Sequence, residues 1–206
     1  GAVIDYGAWP DQQRRQFTLT DARPTVQDLF RKAGLEGAIY GALQALTGDY
    51  LKREFLREDG AMLKIERCMI DANWGASTDV VYQFCRQSEH SAILIPSHGR
   101  YVGASSKPMT EYRKQPGDRL GLNWIIPNMR GKRAIRHCIF DANYWKSFVH
   151  SRLSVPLGDK GCLSLYGRRP LQHQQLAEHL TAEYRVKTAG RGRTVDEWKI
   201  RPEHRD

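Results

Sequence analysis

Two matching segments predict an α/β fold built on a sheet with parallel strands. Residues 65–70 read as a partly apolar strand that stops at Asp71. Ala72-Asn73-Trp74-Gly75 then turns the chain, and Ser77-Thr78-Asp79 offers cap side chains to a helix through Val80, Val81, Phe84 and Cys85. Ala92-Ile93-Leu94-Ile95-Pro96 follows as a buried strand, and in a strand–helix–strand unit the two strands lie parallel. Nearly the same phrase returns as Cys138-Ile139-Phe140-Asp141-Ala142-Asn143-Tyr144-Trp145. Open α/β sheets bind ligands outside the carboxyl ends of their strands. Asp71 and Asp141 are therefore the first candidate site residues.

The remaining elements follow in order. Ala2-Val3-Ile4 is a short strand, and Asp5 after it is either a second acid at the sheet edge or a turn residue before Gly7. Phe17-Thr18-Leu19 is weakly strand-like. A helix starts after Pro24 with Asp21 or Thr25 near its cap. Residues 36–56 carry a helical pattern in Ile39, Leu43, Leu46, Tyr50, Leu51 and Phe55, and Gly48 is expected to split it. Residues 97–108, rich in Gly, Ser and basic side chains, read as a loop leaving a strand on the same rim as Asp71. Trp124-Ile125-Ile126 is a further strand, residues 129–133 a basic turn, and residues 134–140 the strand that Asp141 closes. A helix from Tyr144 to Leu153 stops near Pro156. Residues 162–166 form the last strand, residues 171–184 a helix, and residues 185–206 a basic, turn-rich tail. That tail is either a mobile arm or a segment lacking its packing partner.

The chain has 206 residues, enough for one large domain or two small ones. A 40% hydrophobic and 27% charged composition suits a soluble globular protein. No stretch approaches the roughly 18 apolar residues of a membrane span, so no membrane partner is expected. The opening Gly-Ala-Val-Ile-Asp-Tyr has neither the basic nor the apolar region of a signal peptide and reads as a strand already under way. A net charge of +9 favours a polyanionic partner, most simply nucleic acid, although basic proteins without one are common. Cys68, Cys85, Cys138 and Cys162 form no CxxC pair, which argues against zinc and for free thiols in a reducing cytosol.

The chemistry these residues support best is metal-assisted phosphodiester cleavage. Two ions about 4 Å apart, held by converging carboxylates, activate water and stabilise the leaving oxygen. Asp71 and Asp141 suit such a set, but a strand-terminal Asp also serves as a helix cap or turn residue. Arg100, Lys107, Arg113 and Lys132 suit phosphate contact, as does His98, and a plain solvated loop accounts for them equally well. No GxxxxGK[ST] and no GxGxxG is present, which excludes a self-contained ATPase and a dinucleotide site of the usual kind.

Several of these motifs, in this order, resemble the nuclease portion of the large terminase subunit of lambda-like tailed phages. They are Ile4-Asp5-Tyr6-Gly7, Asp71-Ala72-Asn73-Trp74-Gly75, Thr78-Asp79-Val80-Val81-Tyr82-Gln83-Phe84-Cys85, and Phe140-Asp141-Ala142-Asn143 with Trp145-Lys146 and Arg152-Leu153. Leu180-Thr181-Ala182-Glu183-Tyr184 and Trp198-Lys199-Ile200-Arg201-Pro202 complete the set. The resemblance spans nearly the whole chain. It implies an RNase H-like mixed sheet flanked by helices, and a Mg²⁺- or Mn²⁺-dependent endonuclease that cuts concatemeric viral DNA in the host cytoplasm. It also implies double-stranded DNA, a small terminase subunit and a portal protein as partners. By the same likeness Asp71 holds the place of the family's second catalytic acid. The first lies before Ile-Asp-Tyr-Gly and the last beyond Arg-Pro, so residues 1–206 are expected to be a nuclease domain truncated at both ends. The alternative is a non-catalytic basic DNA-binding module of the same fold.

Overall fold

The computed structural model describes residues 1–14, 16–73, 75–129 and 135–204. In chain order the elements are β1 (Ala2–Val3), α1 (Val26–Leu29), α2 (Leu35–Tyr50), β2 (Glu54–Leu56), β3 (Met62–Lys64), β4 (Cys68–Asp71), α3 (Thr78–Gln87) and β5 (Leu94–Arg100). They continue with β6 (Arg119–Gly121), β7 (Trp124–Ile126), β8 (Cys138–Asp141), α4 (Ala142–Leu153), β9 (Ser164–Leu165), α5 (Gln174–Thr181), β10 (Glu183–Gly190) and β11 (Arg193–Ile200). Two compact units share the chain. A central unit comprises Arg23–Gly99 and Lys114–Phe140, and a terminal unit Gly1–Ala22, Arg100–Arg113 and Asp141–Asp206.

The central unit is organised by the five-stranded mixed sheet β4-β5-β8-β7-β6. β4 and β5 are parallel, with Cys68 opposite Leu94 and Asp71 opposite Ser97, as a crossover through α3 requires. β6, β7 and β8 run antiparallel in succession. Helix α3 buries Val80, Val81, Tyr82, Phe84 and Cys85, and the last four of these meet Ala72 and Leu94 in one apolar cluster. Tyr40 of α2 closes edge-on over Phe84 with ring centroids 5.4 Å apart, an arrangement that aromatic quadrupoles favour. Burial, with Cys68 alongside, pushes the Cys85 thiol up to about 12, so it stays protonated and inert. All four cysteines are free.

The terminal unit is held by the β10–β11 hairpin, paired over eight positions from Glu183↔Ile200 to Gly190↔Arg193. Its Trp198 is buried against α4, where the indole N–H donates to the Ser147 hydroxyl at 2.8 Å and the ring lies 4.2 Å from that of His150. β1 pairs in parallel with β9. Among the described residues no helix is long and apolar enough to cross a membrane.

Several local expectations change. Helix α2 runs unbroken through Gly48, because one interior glycine costs only about 1 kcal/mol and the helix buries Ala38, Ala42 and Thr47. The helical pattern does not continue to Phe55. Residues 54–56 instead pair with residues 62–64 in a hairpin closed by Asp59-Gly60, with Gly60 at φ +85°, a turn signal of the usual kind. Ser97-His98-Gly99-Arg100 belongs to β5 rather than to a loop. Tyr184 lies in β10, since α5 ends at Thr181. Residues 185–200, read from the sequence as part of a basic tail that is either a mobile arm or a segment lacking its packing partner, lie in the β10–β11 hairpin. Residues 185–190 alternate exposed and partly buried side chains, which is strand behaviour. Phe17-Thr18-Leu19 is not a strand. The basic turn around Lys132 falls outside the described residues.

Candidate functional site

In the central unit the site begins where β4 ends. Asp71 is exposed, and its Oδ1 accepts the Asn73 backbone N–H at 3.2 Å. The backbone stays attached to β5 one residue further, through the Ala72 N–H to the Ser97 carbonyl at 2.9 Å. Asn73 then reaches across to the same strand. Its Nδ2 donates to the Gly99 carbonyl at 2.9 Å, and its Oδ1 lies 2.8 Å from His98 Nδ1. His98 Nε2 is 2.8 Å from the hydroxyl of Tyr82, which α3 presents from the buried side. Because the Asn73 amide gives its N–H to Gly99, its oxygen accepts from His98 Nδ1–H, and His98 Nε2 accepts the Tyr82 O–H.

Behind this chain sits His137, nine-tenths buried, with its ring edge-on to His98 at 5.3 Å and to Tyr82 at 5.8 Å. Its Nδ1 has no hydrogen-bond partner among the described residues. Burial lowers the His137 pKa; the Ile135 backbone opposes this and the neighbouring His98 adds to it. A neutral imidazole therefore backs the site.

The local chain path explains why Asp71 is exposed. Gly75 takes φ +58°, a left-handed conformation that costs glycine little. A three-ten turn over Gly75–Ser77 precedes α3. Asp71 is thus too far from the helix to cap it. Ser77 occupies the N-cap position without a side-chain cap bond, and the Thr78 hydroxyl donates back to the Ala72 carbonyl at 2.8 Å.

In the terminal unit Asp141 has a different setting. It is buried, stands at the N-cap of α4, and accepts the Tyr144 N–H at 3.1 Å. Burial raises its carboxyl pKa, while the Tyr144 and Asn143 amides and the charge of Arg193 pull the other way. Asn143, two residues on, is also buried. Its Nδ2 donates to the Val102 carbonyl at 3.4 Å and its Oδ1 accepts the Trp198 N–H at 2.9 Å.

The segment 101–113 is pinned to the hairpin. The Ala104 N–H donates to Glu197 Oε1 at 2.9 Å, and Arg193 Nη2 donates to the Gly103 and Ser106 carbonyls at 2.8 and 2.6 Å. A Cβ on Gly103 would lie 2.6 Å from Glu197 Oε1, so a larger residue there would push the carboxylate off its bond to the Ala104 amide. The Ala104 amide, then the Tyr101 hydroxyl, hold the Glu197 carboxyl below its usual range against burial. Val102, Ala104 and Met109 are buried, whereas Arg100, Lys107 and Arg113 remain exposed, with Arg100 donating to the Tyr112 hydroxyl at 3.1 Å. Lys132 lies outside the described residues.

Of the residues singled out from the sequence, the structure joins Asp71 and His98 through Asn73. Asn73, Tyr82, Glu197 and Arg193 were not foreseen as site or loop-holding residues. Asn73 was visible in the repeated motif, but its partners on β5 depend on sheet register. As a cation site the donor set is partial. Asp71 offers one exposed carboxylate, while no group of three or more His, Cys, Asp or Glu side chains among the described residues is placed to hold a metal.

No curated protein and no solved structure matches the chain. A family model does match, over residues 40–206, and its description is terminase large subunit gpA, endonuclease domain. That span covers most of the chain, and the chain therefore belongs to the terminase large subunit gpA endonuclease-domain family.

Proposed function

We propose that this chain cuts double-stranded DNA for phage packaging, with Mg²⁺ or Mn²⁺ held at Asp71. The observation that supports this reading best is the exposed Asp71 carboxylate at the carboxyl end of a strand in a parallel pair, in a chain of this family. Mg²⁺ keeps several waters and is commonly bound by one or two carboxylates plus substrate phosphates, so a single protein carboxylate is a usable part of its shell. Such an ion, when bound, supplies charge for the phosphoryl oxygen and a water of lowered pKa. The chain's own residues fix the Asp71 carboxylate through Asn73, and Arg100, Lys107 and Arg113 meet the DNA backbone as exposed cations. Asp141 supports the fold as a helix cap. The reading carries with it an RNase H-like arrangement, a concatemeric substrate, and a small terminase subunit and portal as assembly partners.

The test is nicking of supercoiled plasmid with Mn²⁺. Cutting that disappears in Asp71→Ala at unchanged melting temperature supports the reading. DNA retention that falls steeply with salt, without any cutting, supports a binding module instead.

A further inference from the structure

We propose that His98 is a positioning residue for Asp71, acting through Asn73 and anchored by the buried Tyr82 hydroxyl. The proposal rests on Asp71 as the metal-holding acid. Its ground is a single run of hydrogen bonds with one consistent donor order. Tyr82 O–H donates to His98 Nε2, His98 Nδ1–H to Asn73 Oδ1, Asn73 Nδ2 to the Gly99 carbonyl, and Asn73 N–H to Asp71 Oδ1. Residues 71–73 are thereby splinted along β5. Asp71 is paired with Ser97, Ala72 donates to the Ser97 carbonyl, and Asn73 meets His98 and Gly99.

Both ring nitrogens of His98 are engaged in this run, so contact with a phosphate would break one of its bonds. Tyr82 and His137 also pack against the ring, with centroids 5.8 and 5.3 Å away. Tyr82 is 5% exposed and cannot follow a moving loop, which makes it a fixed anchor rather than a surface partner. Groups that orient a metal ligand from behind typically change metal affinity or activity about 10- to 100-fold when removed.

The experiment uses the full chain with Mn²⁺ as the probe. Isothermal titration gives the Mn²⁺ affinity of the wild type, His98→Ala, His98→Asn, Tyr82→Phe and Asp71→Ala. Amide hydrogen exchange at Asn73 reports its bond to Asp71, and circular dichroism melting checks folding. The expected result for His98→Ala is an affinity loss of about 10- to 100-fold, with faster exchange at Asn73 and unchanged salt dependence of DNA binding. His98→Asn keeps an N–H donor where Nδ1 stands and should restore most of both signals. Tyr82→Phe, which keeps the packed ring, should show a smaller loss of the same kind.

Unchanged Mn²⁺ affinity and unchanged exchange in His98→Ala would overturn the proposal. So would a loss confined to DNA affinity with a shallower salt dependence, the mark of a phosphate contact. If Asp71→Ala binds Mn²⁺ as tightly as the wild type, the underlying nuclease reading fails. Exchange at Asn73 then still decides whether His98 positions Asp71.

Discussion

The two Asp-Ala-Asn copies share three residues and part company at the fourth and fifth. After Asn73 come Trp74 and Gly75, and the positive φ of Gly75 with the three-ten turn over Gly75–Ser77 delays the helix until Thr78. After Asn143 come Tyr144 and Trp145, with no glycine, and α4 begins at once at Ala142. The first aspartate is therefore left in solvent, while the second is drawn under the helix as its cap. The asparagines diverge in the same way. Asn73 ties a strand end to its neighbour, and Asn143 fills two backbone valences inside the terminal unit. A motif therefore predicts chemistry only together with the residues that decide how soon the next helix starts.

The contrast can be broken most sharply by exchanging each aspartate for asparagine. Asp71→Asn should lower plasmid cutting more than about 100-fold, above the usual cost of losing an outer partner. Asp141→Asn should leave cutting and melting temperature nearly unchanged, because asparagine caps as well as aspartate and a buried neutral amide avoids the cost of burying a charge. Loss of cutting in Asp141→Asn at full stability would show that both copies serve catalysis.

A smaller effect separates the asparagines. Asn143→Ala strips partners from the Trp198 N–H and the Val102 carbonyl and should cost about 1–3 kcal/mol for each group left unpaired, measured by urea denaturation. Asn73→Ala, at an exposed position, should barely change stability while reducing cutting. Gly75→Ala comes next. A side chain there meets nothing within 4 Å, so the cost is the left-handed backbone alone, about 1–2 kcal/mol. Cutting should fall with it, because the turn that releases Asp71 is strained. A Gly75→Ala variant as stable as the wild type would remove the glycine from the explanation.

The smallest expected effect is on pH dependence. His137 is held below its unfolded pKa of about 6.5. Between the two values the unfolded chain binds the extra proton, so stability rises with pH there and is lost as pH falls below about 6.5. His150, lowered chiefly by burial, has the same sign. Asp141, raised by burial, has the opposite sign, its share of stability being lost as pH rises through its folded value. Melting temperature should fall from pH 7.5 to 5.5, and His137→Gln should flatten that slope.

Much of this was legible in the sequence. The strand before Asp71, helix α3, the parallel partner β5 and the second motif copy follow from apolar runs and their breaks. The Asp59-Gly60 hairpin carried its signal too, but the helical spacing of Leu51 and Phe55 outweighed it. The long β10–β11 hairpin was obscured by its charge, since Arg185 and Lys187 take the exposed positions of β10 and Arg193 opens the strand that buries Trp198.

By itself the sequence determined the local grammar: which segments are apolar enough to become strands, where glycine permits a turn, and which acids stand at strand ends. Tertiary structure alone decided that His98 and Tyr82, sixteen residues apart, meet at 2.8 Å, and that one aspartate is solvated while its twin is buried. Local preferences act over a few neighbours along the chain. Register between strands, and the hydrogen bonds it creates, depend on how distant apolar faces pack together.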